Sequence, residues 1–375
     1  MPPTNTTEAF SITVWENLPS KQAEQLALDV AAFEEEFADY KISLQHYSIP
    51  EKFLADVVSG RTKFDVVLAS PELLGSLWLA GRIMPMSDLF PASFLDSFAA
   101  VTLPGATATD QLWGLPETAG FHLMLFYNKE LVDTPPATIA ELEALADELA
   151  TEDRAGLVMN TYEPLWLVPW LGANGGWLVD ADGQPAADTV AMEQALALYS
   201  SWFPGTAPIV SYDEALQKFM SGDAAMMISG DWTIAQLASA RELDWGVAVL
   251  PDVGESPAVP LVLSSYWAVS RETNQDRALA VAALLEFLSR PERQLVWTTE
   301  FGTMPPRREA LDDPVVVSDV VRRTSAAQMR AGRMLPLGVS PNLILDAMRQ
   351  PLQQVIDGTM TPAGAAAQIE ANLAP

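Results

Sequence analysis

The sequence from residue 11 to residue 69 opens with Ser11-Ile-Thr-Val-Trp15, passes through Lys41-Ile-Ser-Leu-Gln-His-Tyr47 and closes with Phe64-Asp-Val-Val-Leu-Ala69. These segments are rich in β-branched and aromatic residues and have the length of a strand. Apolar residues recur at helical spacing in the two intervening segments, residues 26–37 and 50–58. Strands that alternate with helices in this way predict a doubly wound α/β lobe.

A second series of elements follows the apolar strand Phe121-His-Leu-Met-Leu-Phe-Tyr127, which we expect to carry the chain out of the first lobe. Two helix starts in this series carry capping boxes, in which a hydroxyl residue is followed three positions later by glutamate. Further strands and a helix continue the α/β pattern. The boxes are Thr138 with Glu141 and Ser211 with Glu214, the strands are residues 245–250 and 266–270, and the helix is residues 277–288.

The composition excludes several classes of protein. The chain has 375 residues with 21 Lys and Arg against 49 Asp and Glu, so its formal net charge is −28, which excludes a nucleic-acid binder that relies on phosphate neutralisation. Its length and its hydrophobic content of 49% predict two globular domains with sizeable cores. Cysteine is absent, and His46 and His122 are too far apart in sequence to suggest a metal site.

The lengths of the apolar stretches and the composition of residues 1–9 indicate where in the cell the protein is located. No uninterrupted apolar stretch of the sequence reaches the roughly 18 to 20 residues that span a bilayer. Residues 1–9 are mostly small and polar and lack the regions of a signal peptide, so we expect a flexible tether, with any signal segment outside this sequence.

Several tryptophans lie beside carboxylates or amides. A pyranose has apolar faces that stack on aromatic rings and hydroxyls that need charged or amide partners, so this combination indicates sugar binding. Trp15 precedes Glu16 and Asn17, Trp166 and Trp170 follow Glu163, and Trp232 follows Asp231. For any single tryptophan, packing in the core is the alternative.

The same carboxylates leave an enzyme open as an alternative. A glycosidase needs two facing carboxyl groups, and Glu16, Glu72, Glu117 and Glu163 are the candidates. The sequence has no GxSxG nucleophile motif and neither of the glycine-rich phosphate-binding motifs, so no nucleotide cofactor is expected.

An ordered set of motifs along most of the chain resembles the extracellular solute-binding proteins of bacterial ABC importers, in particular the carbohydrate-binding, maltose-binding-protein-like branch. The motifs are Ile12-Thr-Val-Trp15, Phe64 to Ala69, Trp113-Gly-Leu-Pro116 leading to Phe126-Tyr-Asn-Lys-Glu-Leu131, Asn160 to Gly176, Ala215 to Trp232, Trp245 to Pro251 and Gly358-Thr-Met-Thr-Pro362.

The resemblance implies a fold of two α/β lobes joined by crossing hinge strands, the type II arrangement of periplasmic binding proteins. We predict an N-terminal lobe of residues 10–118 and 269–313 and a C-terminal lobe of residues 119–268 and 314–375. It also implies a monomer outside the cytoplasm, periplasmic or lipid-anchored, whose lobes close over a mono- or oligosaccharide and deliver it to an ABC permease. A non-sugar solute, such as a polyol or glycerol phosphate, is the other binding alternative.

The resemblance also implies particular ligand contacts. Glu163 matches the family's sugar-binding glutamate, Trp232 its stacking tryptophan and Arg349 a cleft arginine. Further contacts are implied by segments that the family uses to line its cleft. The polar ones are Glu16, Asn17, Ser70, Glu72 and Asp231, and the aromatic ones are Trp166, Trp177, Tyr266 and Trp267. For each of the four aromatic residues, packing in the core is the alternative.

The sequence departs from the maltose-binding pattern at several positions. The loop after the third strand reads Ala69-Ser-Pro-Glu-Leu73, where that pattern has Trp, Asp and Arg, and only Glu72 keeps an acidic group. The aromatic expected after Glu163 is Leu165, and the tryptophan expected near Leu345 is absent. A glutamate expected after the first hinge is replaced by Gly120 or Phe121. Maltose is therefore one candidate ligand among several.

Overall fold

The computed structural model describes residues 10–180, 182–187, 189–237 and 243–374, with only the backbone at residues 10 and 189. The predicted tether, residues 1–9, lies outside the described residues. The strands are β1 Phe10–Glu16, β2 Tyr40–His46, β3 Val66–Ala69, β4 Thr107–Ala108, β5 Gln111–Leu112, β6 Leu115–Gly120, β7 Leu123–Asn128, β8 Ala155–Met159, β9 Ala224–Gly230, β10 Trp245–Ala248 and β11 Leu263–Val269.

Helices connect and flank these strands. They are α1 Ser20–Glu36, α2 Pro50–Val58, α3 Pro71–Leu79, α4 Ala92–Leu95, α5 Ile139–Leu149, α6 Val168–Ala173, α7 Thr189–Ser201, α8 Tyr212–Ser221, α9 Thr233–Leu237, α10 Gln275–Leu288, α11 Pro291–Phe301, α12 Arg308–Leu311, α13 Pro314–Val317, α14 Val320–Ala331, α15 Pro341–Ile356 and α16 Pro362–Leu373. None of the described helices is both long and apolar enough to cross a membrane.

The chain forms two α/β units, each built on its own sheet. A five-stranded sheet has the order β2-β1-β3-β11-β6, with β1 parallel to β2 and β3, and β11 antiparallel to β3. A four-stranded sheet has the order β10-β7-β9-β8, with β7 antiparallel to β9 and β10, and β8 parallel to β9. The predicted α/β fold of two lobes is confirmed.

The central strands of both sheets, such as β3 and β9, are buried on both faces, whereas the edge strand β2 is partly exposed. Successive side chains of a strand point to opposite sides, so a central strand contributes to two apolar clusters. In β3, Val66 and Leu68 pack in one apolar cluster and Val67 and Ala69 in another. In β7, Leu123 and Leu125 face one cluster, whereas Met124 and Phe126 face a second. The continuous apolar runs of the sequence are therefore core strands.

Local signals placed several helices correctly. Both capping boxes are present, since Thr138 and Ser211 each accept a hydrogen bond from the backbone N–H of the glutamate three residues later, and that glutamate caps in return. The predicted helix at residues 50–58 is α2, and Leu26, Val30 and Phe33 are the buried apolar side of α1.

The unit boundaries differ in detail from the predicted lobes. The first unit comprises the described residues up to Ala119, together with Ser264–Asp313 and Pro336–Gly338. The second begins at Gly120 and contains the remainder. The return to the first unit comes at residue 264 rather than 269, because β11 pairs with β3 from Tyr266 onward. Residues 336–338 also belong to the first unit, where Leu337 is buried.

The carboxyl group of Glu117, on β6, lies in the core of the first unit. It is 6% exposed and accepts a hydrogen bond from the indole N–H of Trp267 on β11. Burial raises the pKa of Glu117 to about 8, and the charge of Asp29 adds to the rise. The folded protein therefore holds a proton at Glu117 that the unfolded chain releases above its ordinary pKa of 4.5.

Replacing Glu117 with glutamine tests whether Glu117 is protonated in the folded protein. A raised carboxyl pKa means that stability falls as pH rises from about the unfolded pKa of 4.5 to the folded value of about 8. Glu117→Gln keeps an acceptor for Trp267 and cannot ionise, so we expect a flatter decline in the free energy of unfolding. The variant should be more stable than wild type at pH 8 by more than about 1 kcal/mol.

Urea denaturation at pH 5 and pH 8 measures the effect. Glu35→Gln, at an exposed position of α1, is the control and should follow the wild-type profile. A Glu117→Gln profile parallel to wild type would show that Glu117 is ionised in the fold.

Candidate functional site

Several predicted site residues of the first unit follow the carboxyl ends of adjacent strands. Glu16 is the last residue of β1 and is followed by the exposed Asn17, and Ser70 follows β3. His46, which was not a predicted contact, is the last residue of β2. Parallel strands bring their carboxyl ends to the same edge of a sheet, which is where open α/β sheets bind ligands. The structure therefore brings these residues to one edge.

The polar atoms at this edge already have partners within the unit. Glu16 is 5% exposed, and its carboxylate accepts from the backbone N–H of Leu18 and lies 3.0 Å from Nδ1 of His46. Ser70 caps α3 by accepting from the backbone N–H of Leu73. Glu72 is half-buried in the first turn of α3. Asn17 is thus the most exposed of the four predicted contacts at this edge.

In the second unit, Glu163 and Arg349 form an ion pair. The Arg349 guanidinium donates to both carboxylate oxygens, at 2.6 and 3.4 Å. Glu163 comes directly before the short 3₁₀ helix Pro164–Trp166, and Arg349 lies on α15. The hydrogen bond to Glu163 raises the pKa of Arg349, which keeps the guanidinium charged. Both side chains retain exposed surface, 23% and 48%, so the pair offers donors and acceptors to a polar ligand.

An aromatic cluster surrounds Trp232 in the same unit. The Trp232 indole lies edge-on to Trp166, with ring centroids 6.2 Å apart, and its N–H donates to the Tyr212 hydroxyl at 3.0 Å. The Phe121 ring lies 4.7 Å from the indole at an interplanar angle of 33°. Trp166 is the last residue of the 3₁₀ helix that begins after Glu163, so the ion pair and the cluster share one short element.

Phe121 has an unusual backbone. Its φ is +57°, in the left-handed region that costs energy for a residue with a side chain. Its N–H donates to both carboxylate oxygens of Asp231, at 3.0 and 3.1 Å. The preceding Gly120 has φ +157°, and a side chain there would collide with the Asp231 carboxylate. Asp231 therefore organises the turn that leads into β7.

Behind this turn lies a buried polar chain. Asp231 is 8% exposed, Nδ1 of the fully buried His122 lies 3.5 Å from its carboxylate, and Nε2 of His122 is 3.1 Å from the Ser325 hydroxyl. Burial raises the pKa of Asp231 to about 7 and lowers the pKa of His122 to about 4. His122 is therefore neutral near pH 7.

The remaining aromatic candidates lie in the cores of their units. Each is 5% exposed or less. The Trp166 indole donates to the Ile228 carbonyl, and the Tyr266 hydroxyl donates to the Thr102 carbonyl. The four are Trp166, Trp177, Tyr266 and Trp267. Core packing, the alternative for each, is what the structure shows, and Glu117 is likewise buried.

Sequence reasoning missed two members of the cluster. Phe121 was named only as the first residue of a predicted strand and as a departure from the maltose-binding pattern, and Tyr212 was not named. The strand β7 begins at Leu123, so Phe121 lies in the turn before it. The remaining signal for Phe121 was the preceding glycine, since glycine is common where the backbone leaves the ordinary regions.

Comparisons with known proteins agree with this architecture. A family model described as bacterial extracellular solute-binding protein matches residues 30–324. The maltotriose-binding protein of Pyrococcus abyssi is 24% identical over 327 residues, which cover 83% of this chain and 69% of that protein. The maltodextrin-binding protein MdxE of Bacillus subtilis is 27% identical over 232 residues, 56% of this chain and 53% of that protein.

Solved structures share the fold. A cyclo/maltodextrin-binding protein complexed with maltotetraose has a TM-score of 0.86 at 23% identity, covering 97% of this chain and 96% of the other. The maltose/maltodextrin-binding domain MalE from Bdellovibrio bacteriovorus, bound to maltotriose, has a TM-score of 0.77 at 23% identity, covering 97% and 98%. The proteins matched by these comparisons are solute-binding components and not enzymes.

The contact between Gly120 and Asp231 predicts a large effect of adding one methyl group. Gly120→Ala should destabilise the protein by about 1 to 3 kcal/mol more than the backbone cost alone, because the new Cβ meets a buried carboxylate. Gly175→Ala is the matched control, since Gly175 has φ +82° and nothing within 4 Å of an added Cβ. Chemical denaturation compares the two free energies of unfolding, and equal losses would contradict a specific contact at Gly120.

Proposed function

The chain belongs to the bacterial extracellular solute-binding proteins, and we propose that it is the receptor of an ABC importer that binds a maltodextrin-type oligosaccharide. The relatives and structural neighbours named above bind maltotriose, maltotetraose or maltodextrin according to their descriptions. Sharing their fold does not by itself assign their ligand, so the proposal depends on the chemistry of the second unit.

The observation that carries the proposal is the ion pair of Glu163 and Arg349 beside the Trp232 cluster. A carboxylate accepts from sugar hydroxyls, and a guanidinium donates to their oxygens, so the pair can bind neighbouring hydroxyls of one ring. An aromatic surface nearby covers the apolar face of a sugar. Both groups can bind the hydroxyls of an uncharged sugar. An uncharged ligand is not repelled by a chain whose formal charge is −28.

A phosphorylated or other non-sugar solute is less well supported. The sn-glycerol-3-phosphate-binding protein UgpB of Escherichia coli is 26% identical, but over only 103 residues, 27% of this chain. The cation of the described pair, Arg349, is already neutralised by Glu163, so it offers no free positive charge to a phosphate.

The family is described as extracellular. The partner protein and the precise location of this chain are part of the proposal. We propose a periplasmic or lipid-anchored monomer that delivers its ligand to the transmembrane subunits of a permease. Streptococcus pneumoniae relatives described as lipoproteins support an anchored form. Closure of the lobes over the ligand stays a prediction of the resemblance.

Calorimetric titration with maltotriose tests the proposal. Wild type should bind, and Trp232→Ala and Glu163→Gln should each raise Kd roughly tenfold or more, because the first removes the aromatic surface and the second a charged acceptor worth about 1.5 to 3 kcal/mol. Leu343→Ala and Glu193→Gln change exposed residues of α15 and α7 and are the controls.

Both controls should bind as wild type does. Full affinity of Trp232→Ala would remove this face as the binding site. If wild type itself does not bind maltotriose, or a heat of binding appears only with sn-glycerol 3-phosphate, the proposed ligand class is wrong.

A further inference from the structure

We propose that Phe121 is the outward aromatic contact for the sugar and that Asp231 is a positioning residue that holds Phe121 in place. The inference rests on the proposed function and deepens it, because it names the ring that the ligand meets first. The sequence analysis expected Asp231 to contact the ligand. We propose instead that Asp231 lies behind the ligand-binding surface and supports it.

Phe121 is the more exposed of the two rings. Phe121 is 45% exposed, whereas Trp232 is only partly exposed. The indole of Trp232 has Phe121 against it, the edge of Trp166 beside it and its N–H bound to Tyr212. Its six-membered ring also lies over Gly230, at a position that an added Cβ would occupy. Phe121 therefore offers the larger free ring surface, and Trp232 supports it.

The backbone at Phe121 is strained. A large apolar residue at φ +57° costs about 1 to 3 kcal/mol, and an exposed ring gains little burial to offset this cost. Strained conformations persist where surrounding contacts impose them, and they concentrate at binding and catalytic sites. A strained and exposed aromatic ring against Trp232 is explained if the ring contacts the ligand.

The Asp231 carboxylate holds Phe121 in this conformation. Both carboxylate oxygens accept the Phe121 N–H, and Nδ1 of His122 lies 3.5 Å away on the inner side. Gly120 leaves the space that the carboxylate needs. With 8% exposure, Asp231 has little surface left for a ligand. Its effect on binding therefore passes through Phe121.

Substitutions at Phe121 test the contact. Phe121→Leu keeps a Cβ and an apolar side chain at the same φ but removes the ring, so we expect Kd for maltotriose to rise roughly threefold to tenfold. Phe121→Tyr keeps the ring and should bind within about twofold of wild type. Leu343→Ala remains the control for an exposed apolar residue of the same unit. Unchanged or tighter binding by Phe121→Leu would overturn the inference, the latter by showing that Phe121 covers Trp232.

A double-mutant cycle tests whether Asp231 affects binding by positioning Phe121. Asp231→Leu removes the acceptor for the Phe121 N–H and should raise Kd, whereas Asp231→Asn keeps an acceptor oxygen and should restore most of the affinity. If Asp231 acts through Phe121, then Asp231→Leu adds little to the loss when Phe121 is already leucine. Additive losses would overturn the positioning role.

The two Phe121 substitutions decide the contact even if Asp231→Leu does not fold. Asp231→Ala, which also removes the acceptor but adds no bulk, then completes the cycle with and without Phe121→Leu. Two failures can be told apart. If wild type binds maltotriose and Trp232→Ala does not, the proposed function stands whatever Phe121→Leu does. If wild type does not bind maltotriose, the proposed function fails first.

Discussion

Burial of the central strands of both sheets on both of their faces is the constraint on which this molecule depends. Each core strand places alternate residues in two apolar clusters, as Leu123 and Met124 do in β7. A strand buried in this way can expose polar groups only at its ends. The residues proposed to contact a ligand therefore lie outside the strands: Asn17 and Ser70 follow strand ends, Phe121 lies in a turn between two strands, and Arg349 lies on a helix.

The same constraint explains how much of the fold was readable from sequence. Strand runs such as Phe64 to Ala69 and capping boxes such as Thr138 with Glu141 are local signals, and local physics places them correctly. The return of the chain to the first unit at Ser264 was placed too late, because strand pairing with a segment almost 200 residues earlier decides it. Pairing partners of that kind leave no local signal.

The site was readable only in part, for a related reason. Glu163 and Arg349 were both named from the resemblance, but sequence spacing does not show that they form an ion pair 186 residues apart. Tryptophans carry even less information, because the same residue serves a core and a binding surface. Trp166 supports Trp232 from the core, whereas Phe121, which no tryptophan pattern would find, reaches the surface through a contact with Asp231 that spans 110 residues.

The buried carboxyl groups have a consequence for the electrical behaviour of the native protein. The formal charge of −28 counts every carboxylate as ionised. Burial raises the pKa of Glu117 to about 8 and that of Asp231 to about 7, so both carboxyl groups hold protons at a higher pH than exposed carboxylates do. The native molecule is thus less acidic than its composition suggests. Its electrophoretic mobility toward the anode near neutral pH should therefore be lower than a charge of −28 predicts. The protons responsible lie in the interiors of both units, where the counterions that screen the surface do not reach them.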